Sequence, residues 1–490
     1  MTSRLERVTE QRLNSLKRIR SKGVNPYPHS YYPSHTSADA VALFGRQGES
    51  PQSMSLAGRV VARRRMGRMA FLDIRDGSGK IQLCFRRDLL GDESYEFLQD
   101  IDIGDVIGVE GKLFRTRAGE ITLEASDFTM LCKSLRPLPE KWHGLADVEK
   151  RYRQRYLDLI ASEEARSMFR VRSRITAAVR SFLNARGFVE VETPVLQSQA
   201  GGALARPFVT HHNALDEDLY LRIALELPLK KLVVGGFDRV YEIGRVFRNE
   251  GISVRHNPEF TLLECYQAYA DYNDMMNLVE EMVSSVAREI TGSTMIVCGG
   301  KEIDLAPPWQ RCYLRQTIKS CCDIDFEDYP DTASLRSRMG EAGMEVDAAK
   351  GRGRLIDELL ASFVEPDLIR PTFLLDYPVD MSPLAKRKRD NERLAERFEA
   401  FVNGIEVANA FTELNDPVEQ RERFQQQLRE RVGDEEVEIA DEDFLQALEY
   451  GMPPTGGLGV GIDRLVMLLT GQQSLREVIL FPQLKAKSDD

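Results

Sequence analysis

Along the chain the alternation of apolar and polar positions changes period several times, and each change predicts an element. Residues 2–22 suit a helix that ends at Gly23, followed by an Asn25-Pro26-Tyr27-Pro28 loop. From Met54 to Leu131 the period falls to two. SLAGRVVARR, AFLDIRD, KIQLCF, DVIGVEGKLF and EITLEASDF read as five short strands, with turns at Asp76-Gly77-Ser78-Gly79 and Arg117-Ala118-Gly119. A mixed segment, Arg87 to Asp100, breaks that series after the third strand and suits a helix. Residues 133–150, with Pro137, Pro139 and Trp142, read as a linker. Met168, Val171, Ile175, Val179 and Phe182 then recur at three- and four-residue steps, predicting a helix from about Ser162 to Arg186 with one apolar face.

The segment from Asp238 to Ala270 is the most patterned. Val240, Ile243 and Val246 mark a strand, and Arg248 and Glu250 follow two residues apart, projecting from one face. A polar loop, Gly251 to Pro258, bears Arg255, His256 and Asn257. A second strand places Phe260, Leu262, Glu264 and Tyr266 on one face. A helix from about Asn273 to Thr291 comes next, then an uninformative stretch at 292–365. Strands resume at PTFLLDYP, residues 371–378. Farther on, Asn409, Phe411 and Glu413 alternate along one strand face, whereas Glu406 lies an odd number of residues away, so sharing a ligand requires a bulge between them. Asp416-Pro417-Val418-Glu419 reads as a helix cap with a capping box. A glycine-rich strand, Gly457 to Gly461, enters a helix near Ile462 with Arg464 in its first turn.

Composition narrows the class. At 490 residues, 42% hydrophobic and 29% charged, the chain is a multidomain globular protein, with no apolar run of membrane-spanning length. Seven cysteines without a CxxC pair point away from a disulfide framework or a zinc site, and a cytoplasmic enzyme is the expectation. His211 and His212 stand with no further ligand spacing and read as structural. The net charge of −11 is unevenly spread. Residues 1–150 hold 24 Lys+Arg against 20 Asp+Glu, and the remainder holds 42 against 57. A mildly basic front on an acidic body is compatible with binding RNA phosphates. Five strands with a helix after the third fit a small barrel of the oligonucleotide-binding type, which stacks bases on aromatic side chains.

The run FRNEGISVRHNPEF and its flanking strands resemble the second signature motif of class II aminoacyl-tRNA synthetases, in the lysyl branch of subclass IIb. The helix with FVEVETPVLQ resembles the first motif, and TGGLGVGIDRLVMLLTG the third. The resemblance implies an α+β protein: a helical extension (1–53), a five-stranded OB-type anticodon-binding barrel (54–132), the linker (133–150) and a catalytic domain (151–490) built on an antiparallel sheet flanked by helices. It places an insertion at about 292–365. It further implies a homodimer acting on tRNA(Lys), ATP and L-lysine, with Mg²⁺ as cofactor and no membrane association.

Residue by residue, the resemblance assigns catalysis to Arg248 and Arg464. ATP falls to these two with Glu250, His256, Asn257, Phe260 and Glu406. Lysine falls to Gly202, Glu226, Arg248, Glu264, Tyr266, Asn409, Phe411 and Glu413; Mg²⁺ to Glu406 and Glu413; and the anticodon to Phe71, Gln82 and Glu120. An aspartyl or asparaginyl enzyme, a synthetase-like protein-modifying enzyme and a non-catalytic RNA-binding regulator are the alternatives. Glu264, which would repel an aspartate side chain, argues against the first. The barrel argues against the second, and retention of Arg248, Glu406, Glu413 and Arg464 against the third.

Overall fold

The computed structural model describes residues 4–48, 52–138, 147–199, 201–203, 205–347, 350–430 and 441–485. The chain forms two units, Met1–Ala146 and Asp147–Asp490.

In the first unit, β1 (Met54–Met66), β2 (Met69–Arg75), β3 (Lys80–Arg86), β4 (Val106–Arg115) and β5 (Ile121–Cys132) close a barrel in the order β1-β2-β3-β5-β4. Alternation explains the closure. Leu72, Ile74, Ile81, Leu83, Phe85 and Leu123 fill the interior, so Phe71, Gln82 and Thr122 fall on the outer face. Short helices at Arg87–Leu90 and Asp92–Phe97 stand in the predicted gap after β3. The N-terminal extension contains α1 (Arg4–Ser21) and a second helix not read from the sequence, α2 (Ser37–Gln47), which opens with a Thr36–Asp39 capping box. Ile19, Ala40 and Phe44 of these helices join the barrel core.

The start of the predicted linker also belongs to the barrel unit. Lys133 is buried, and its ammonium donates to Asp105 at 2.8 Å and to the Asp100 carbonyl at 2.6 Å. Pro139 and Trp142 lie outside the described residues.

The second unit is organised on an eight-stranded sheet. Its strands are β6 (Val189–Glu190), β7 (Arg239–Phe247), β8 (Glu259–Ala268), β9 (Gln310–Tyr313), β10 (Thr372–Pro378), β11 (Leu394–Val402), β12 (Ile405–Thr412) and β13 (Thr455–Gly461). The order is β9-β10-β11-β12-β13-β8-β7-β6, antiparallel except at the two edges, where β9 and β6 join in parallel. On one face, α3 (Glu163–Asn184), α5 (Tyr272–Thr291) and α6 (Ile462–Thr470) build the main core with Tyr241, Leu263, Cys265, Ala408 and Val460. Ser162 caps α3 and Asp271 caps α5. The opposite face of β7, β8, β12 and β13 holds the cavity described below, beside α4 (Glu226–Val234).

Two local features aim side chains into that cavity. Asn403 and Gly404 both have positive φ, the geometry of a two-residue hairpin between β11 and β12. Beyond the turn, Phe401 pairs with Glu406 but Ala400 pairs with Ala408, so Val407 is an extra residue in β12. This is the bulge the sequence requires. Val407 and Ala408 both enter the core, and Glu406, Asn409 and Phe411 line the cavity. The insertion packs a second core, around Leu314, Phe326 and Leu355, against Tyr377 of β10 and Phe401 of β11.

Candidate active site

A cavity of about 580 Å³ opens on the sheet face of the second unit. It gathers Gly202, Glu226, Arg248, Glu250, His256, Asn257, Phe260, Glu264, Tyr266, Glu406, Asn409, Phe411, Glu413 and Arg464 around one space. Residues separated by more than 250 positions meet because β13 is nearly bare. In the ladder, Gly457 lies between Tyr266 and Phe411, and Gly459 between Glu264 and Asn409. With no side chains between them, the two flanking rows lean together over backbone. A Cβ on Gly457 would stand 1.7 Å from Glu413 Oε1, so only glycine is accommodated there.

The floor is acidic and dry. Glu264 is 5% exposed; Leu225 N–H donates to one of its oxygens at 3.1 Å and Tyr266 O–H to the other at 2.9 Å. Burial, then the neighbouring Glu226, pushes the Glu264 carboxyl up to about 7, against the opposing effect of those two donors and Arg248. Glu226 and Glu413 are also buried, and the Lys230 ammonium lies between them. Burial raises both carboxyls above their ordinary range, with Lys230 opposing. On Lys230 itself burial disfavours the charge, but Glu226 and Glu413 outweigh it and hold the pKa above its ordinary value. Gly202, at φ +85°, brings backbone over this end: its Cβ position is 3.2 Å from the Cβ atoms of Ala224 and Glu226.

The opposite wall is cationic and partly open. Arg464 Nη1 donates to Glu406 Oε2 at 2.7 Å and to the Glu406 carbonyl at 3.0 Å. Its helix is tethered at Asp463, which accepts from Thr261 N–H at 2.8 Å and pairs with Arg172. The Arg248 guanidinium lies 5.2 Å from the Phe260 ring centroid. Burial and Arg464 depress the pKa of His256, so its imidazole is neutral at pH 7 and offers the phosphate wall a hydrogen bond rather than a charge. The Asn257 amide is committed to the Glu259 carbonyl and to Gln483 N–H, and Glu250 is exposed at the rim.

Three carboxylates take partners that the sequence reading did not name. Glu406 and Glu413 line the same cavity, but they have separate partners: Glu413 is bound to Lys230 at the floor and Glu406 to Arg464 on the wall. The bulge turns Glu406 toward the cavity, while Glu413 lies past the end of β12. Glu419 does not close a capping box, because its carboxylate goes to Arg387 and Arg423.

Four residues missed in the sequence complete the site. Arg397 and Glu399 on β11 pair at 2.6 Å, and Arg397 also donates to Asn409 Oδ1 at 3.2 Å. Burial, with Glu406 and Asp357 adding to it and Arg397 opposing, brings the Glu399 carboxyl up to about 7. The Asn403-Gly404 dipeptide between apolar runs was the available signal for β11. Asp357 comes from the insertion, and Lys230 from an ordinary-looking i,i+4 pair with Glu226. Among the described residues no cluster of three metal-ligating side chains converges. His211 instead accompanies Asp218 at 2.8 Å.

In the barrel, Phe71 and Gln82 share the outer face of β2 and β3; Glu120 is exposed in the turn before β5. Gln82 Oε1 accepts from Thr122 at 3.0 Å, which spends one of its polar atoms internally.

Comparisons with known proteins find matches for both units. The family described as tRNA synthetases class II (D, K and N) matches residues 147–485, and the OB-fold nucleic acid binding domain matches residues 54–131. A protein of Dehalococcoides mccartyi named lysine--tRNA ligase is 59% identical over 490 residues, covering 99% of this chain and 98% of its own. A protein of the same name from Moorella thermoacetica is 54% identical, with 98% of each chain covered. One from Bacillus cytotoxicus is 49% identical, with 98% of this chain and 97% of its own covered.

Proposed function

The chain belongs to the class II tRNA synthetases of the D, K and N group, and from that premise we propose that its cavity activates L-lysine with ATP and passes the lysyl group to tRNA(Lys). It is an ATP-dependent aminoacyl-tRNA synthetase that ligates lysine to tRNA. The observation that supports the residue assignments best is the buried Glu264–Tyr266 pair facing the same cavity as Arg248 and Arg464. An ε-ammonium needs a carboxylate where water is excluded, whereas an aspartate side chain would meet three carboxylates there.

The chemistry needs no general base, since the lysine carboxylate is ionised at neutral pH. Its oxygen attacks the α-phosphorus of ATP. The bond to the β-phosphate bridging oxygen breaks, and pyrophosphate leaves. What has to be overcome is repulsion between anions, and Arg248 and Arg464 do this by position and charge. Arg248, over Phe260, meets both the carboxylate and the α-phosphate, while adenine packs on that phenyl ring. Arg464 exchanges Glu406 for the phosphate chain, and His256 donates to it. Glu226 receives the α-ammonium under Gly202, and Glu264 with Tyr266 receives the ε-ammonium. In the second step the terminal ribose hydroxyl of tRNA attacks the activated carbonyl, and AMP departs.

Mg²⁺ fits the wall better than the floor. Glu399 and Asp357 stand near Glu406 there, their carboxyls raised first by burial and further by the Glu406 charge. Glu406 and Glu399 would hold the ion, with water and phosphate oxygens as its other ligands, and it would supply charge neutralisation.

In the barrel, Phe71 stacks an anticodon base and Gln82 and Glu120 read base edges. The homodimer is supported by exposed Val189, Val195, Leu196 and Val209 around β6, an apolar surface that a second copy would cover. Among the described residues no helix is long and apolar enough to cross a membrane, in keeping with a translation enzyme of the cytoplasm. ATP–pyrophosphate exchange measured with each of the twenty amino acids tests the assignment. Lysine alone should support it, and exchange driven equally by aspartate or asparagine would overturn it.

A further inference from the structure

Lys230 lies one turn beyond Glu226 on α4 and is wholly buried. Its ammonium is 2.5 Å from Glu226 Oε1 and contacts Glu413 Oε2. The rings of Phe411 and Phe444 stand 5.4 and 5.8 Å away and seal it from above and behind. It sits behind the cavity wall, out of reach of a substrate. One cation here serves two carboxylates, and the second oxygen of Glu413 is buried without a hydrogen-bond partner among the described residues. Glu264 adds a third carboxylate whose local donors, Leu225 N–H and Tyr266 O–H, are neutral.

With its three carboxylates ionised, the floor sets one ammonium against them and is two positive charges short of neutrality. Unmatched buried charge is costly, so a site so composed favours a ligand that brings two cations into it. A diamino acid has that number of ammonium groups, while its carboxylate is met elsewhere by Arg248.

We propose that Lys230 is a positioning residue that sets this count: by cancelling one of the three carboxylates and fixing Glu226 and Glu413, it matches the floor to a substrate with two ammonium groups. With no internal cation the floor would be three charges short. A diamino acid would then leave one carboxylate unmatched, or a proton would occupy a place needed by an ammonium. With Glu413 neutral and Lys230 kept, only one ammonium would find a free counter-charge. The inference rests on reading the cavity as a lysine site.

Lysine-dependent pyrophosphate exchange by the full-length protein tests it, with KM for lysine and for ATP measured on Lys230→Met, Glu413→Gln and the double variant. Each single variant should raise the lysine KM by about tenfold or more and leave the ATP KM within about threefold. The double variant, again two charges short, should bind lysine at least about threefold better than either single variant, a coupling of opposite sign to simple accumulation of damage. A double variant no better than the worse single one overturns the proposal, as does an unchanged lysine KM in Lys230→Met. If Lys230→Met alone does not fold, the double variant against Glu413→Gln decides by the same criterion. Absence of lysine-dependent exchange in the unaltered protein would refute the lysine reading instead, leaving the two failures distinct.

Discussion

The two ends of the cavity handle charge in opposite ways. At the floor Glu226, Glu264 and Glu413 are each 6% exposed or less, and their one cation, Lys230, is at zero. On the wall the Arg464 and Glu406 side chains are 29% and 35% exposed, and Arg464 and Arg397 already have carboxylate partners. A dry, under-compensated floor discriminates, because any ligand lacking cations leaves buried carboxylates unmatched. A wall that is partly solvated and partly ion-paired grips less selectively, and its ion pairs are exchanged when a polyphosphate arrives. Selection and chemical activation are thus divided between two electrostatic regimes within one cavity.

The largest effect is expected on the wall. Arg248→Ala should lower the rate of adenylate formation by about 10²–10³, the usual loss when a preorganised charge at the reacting centre is removed; single-turnover pyrophosphate release measures it. An effect below tenfold would break the division of labour. On the floor, Glu264→Gln should cost lysine about 1.5–3 kcal/mol in kcat/KM, roughly 10–150-fold, the value of a hydrogen bond to a charged group. The ATP KM should stay nearly constant, and equal losses for both substrates would erase the contrast.

A change outside both ends sharpens it. Phe71→Ala should weaken tRNA binding by about 1–3 kcal/mol in aminoacylation and leave pyrophosphate exchange untouched.

The smallest effect is that of pH. With the Glu264 carboxyl at about 7, the empty floor holds a proton below that pH, and a lysine ammonium must displace it. The acid is raised, so the ionised, lysine-accepting form gains as pH rises. The lysine KM should fall by up to about tenfold from pH 6 to 8. Glu226 adds to the shift, and Arg248 and the Tyr266 hydroxyl oppose it. A flat profile for lysine would put Glu264 in solvent-like surroundings.

How much of this was legible in the sequence follows from the range of the interactions. The β7–β8 hairpin was readable because a period of two places Phe260, Glu264 and Tyr266 together with no outside information. The five barrel strands were readable for the same reason, but not the parallel pairing of β3 with β5, Gln82 beside Thr122, which depends on closure. Lys230 was illegible. Glu226 and Lys230 four apart on a helix look like a solvated surface pair, and only Glu413, Phe411 and Phe444, about 180–215 positions away, bury them. Strand parity foretells which face Glu406 and Glu413 take, not which partner, Arg464 or Lys230, a distant helix brings to each. The β11 strand, with Arg397 and Glu399, was missed by attending to the charged loop before it rather than to Asn403-Gly404.

The extra residue at Val407 bears on how this gene can vary. Removing one codon there would exchange the parity of the strand behind it, presenting Ala408 and Ala410 to the ligand and sending Asn409 and Phe411 into the apolar layer. Length polymorphism should therefore be barred along Glu406–Glu413, whatever substitutions are tolerated, while the exposed loop around Asp390 remains open to it. In a random deletion library that short stretch would stand out as a gap among survivors.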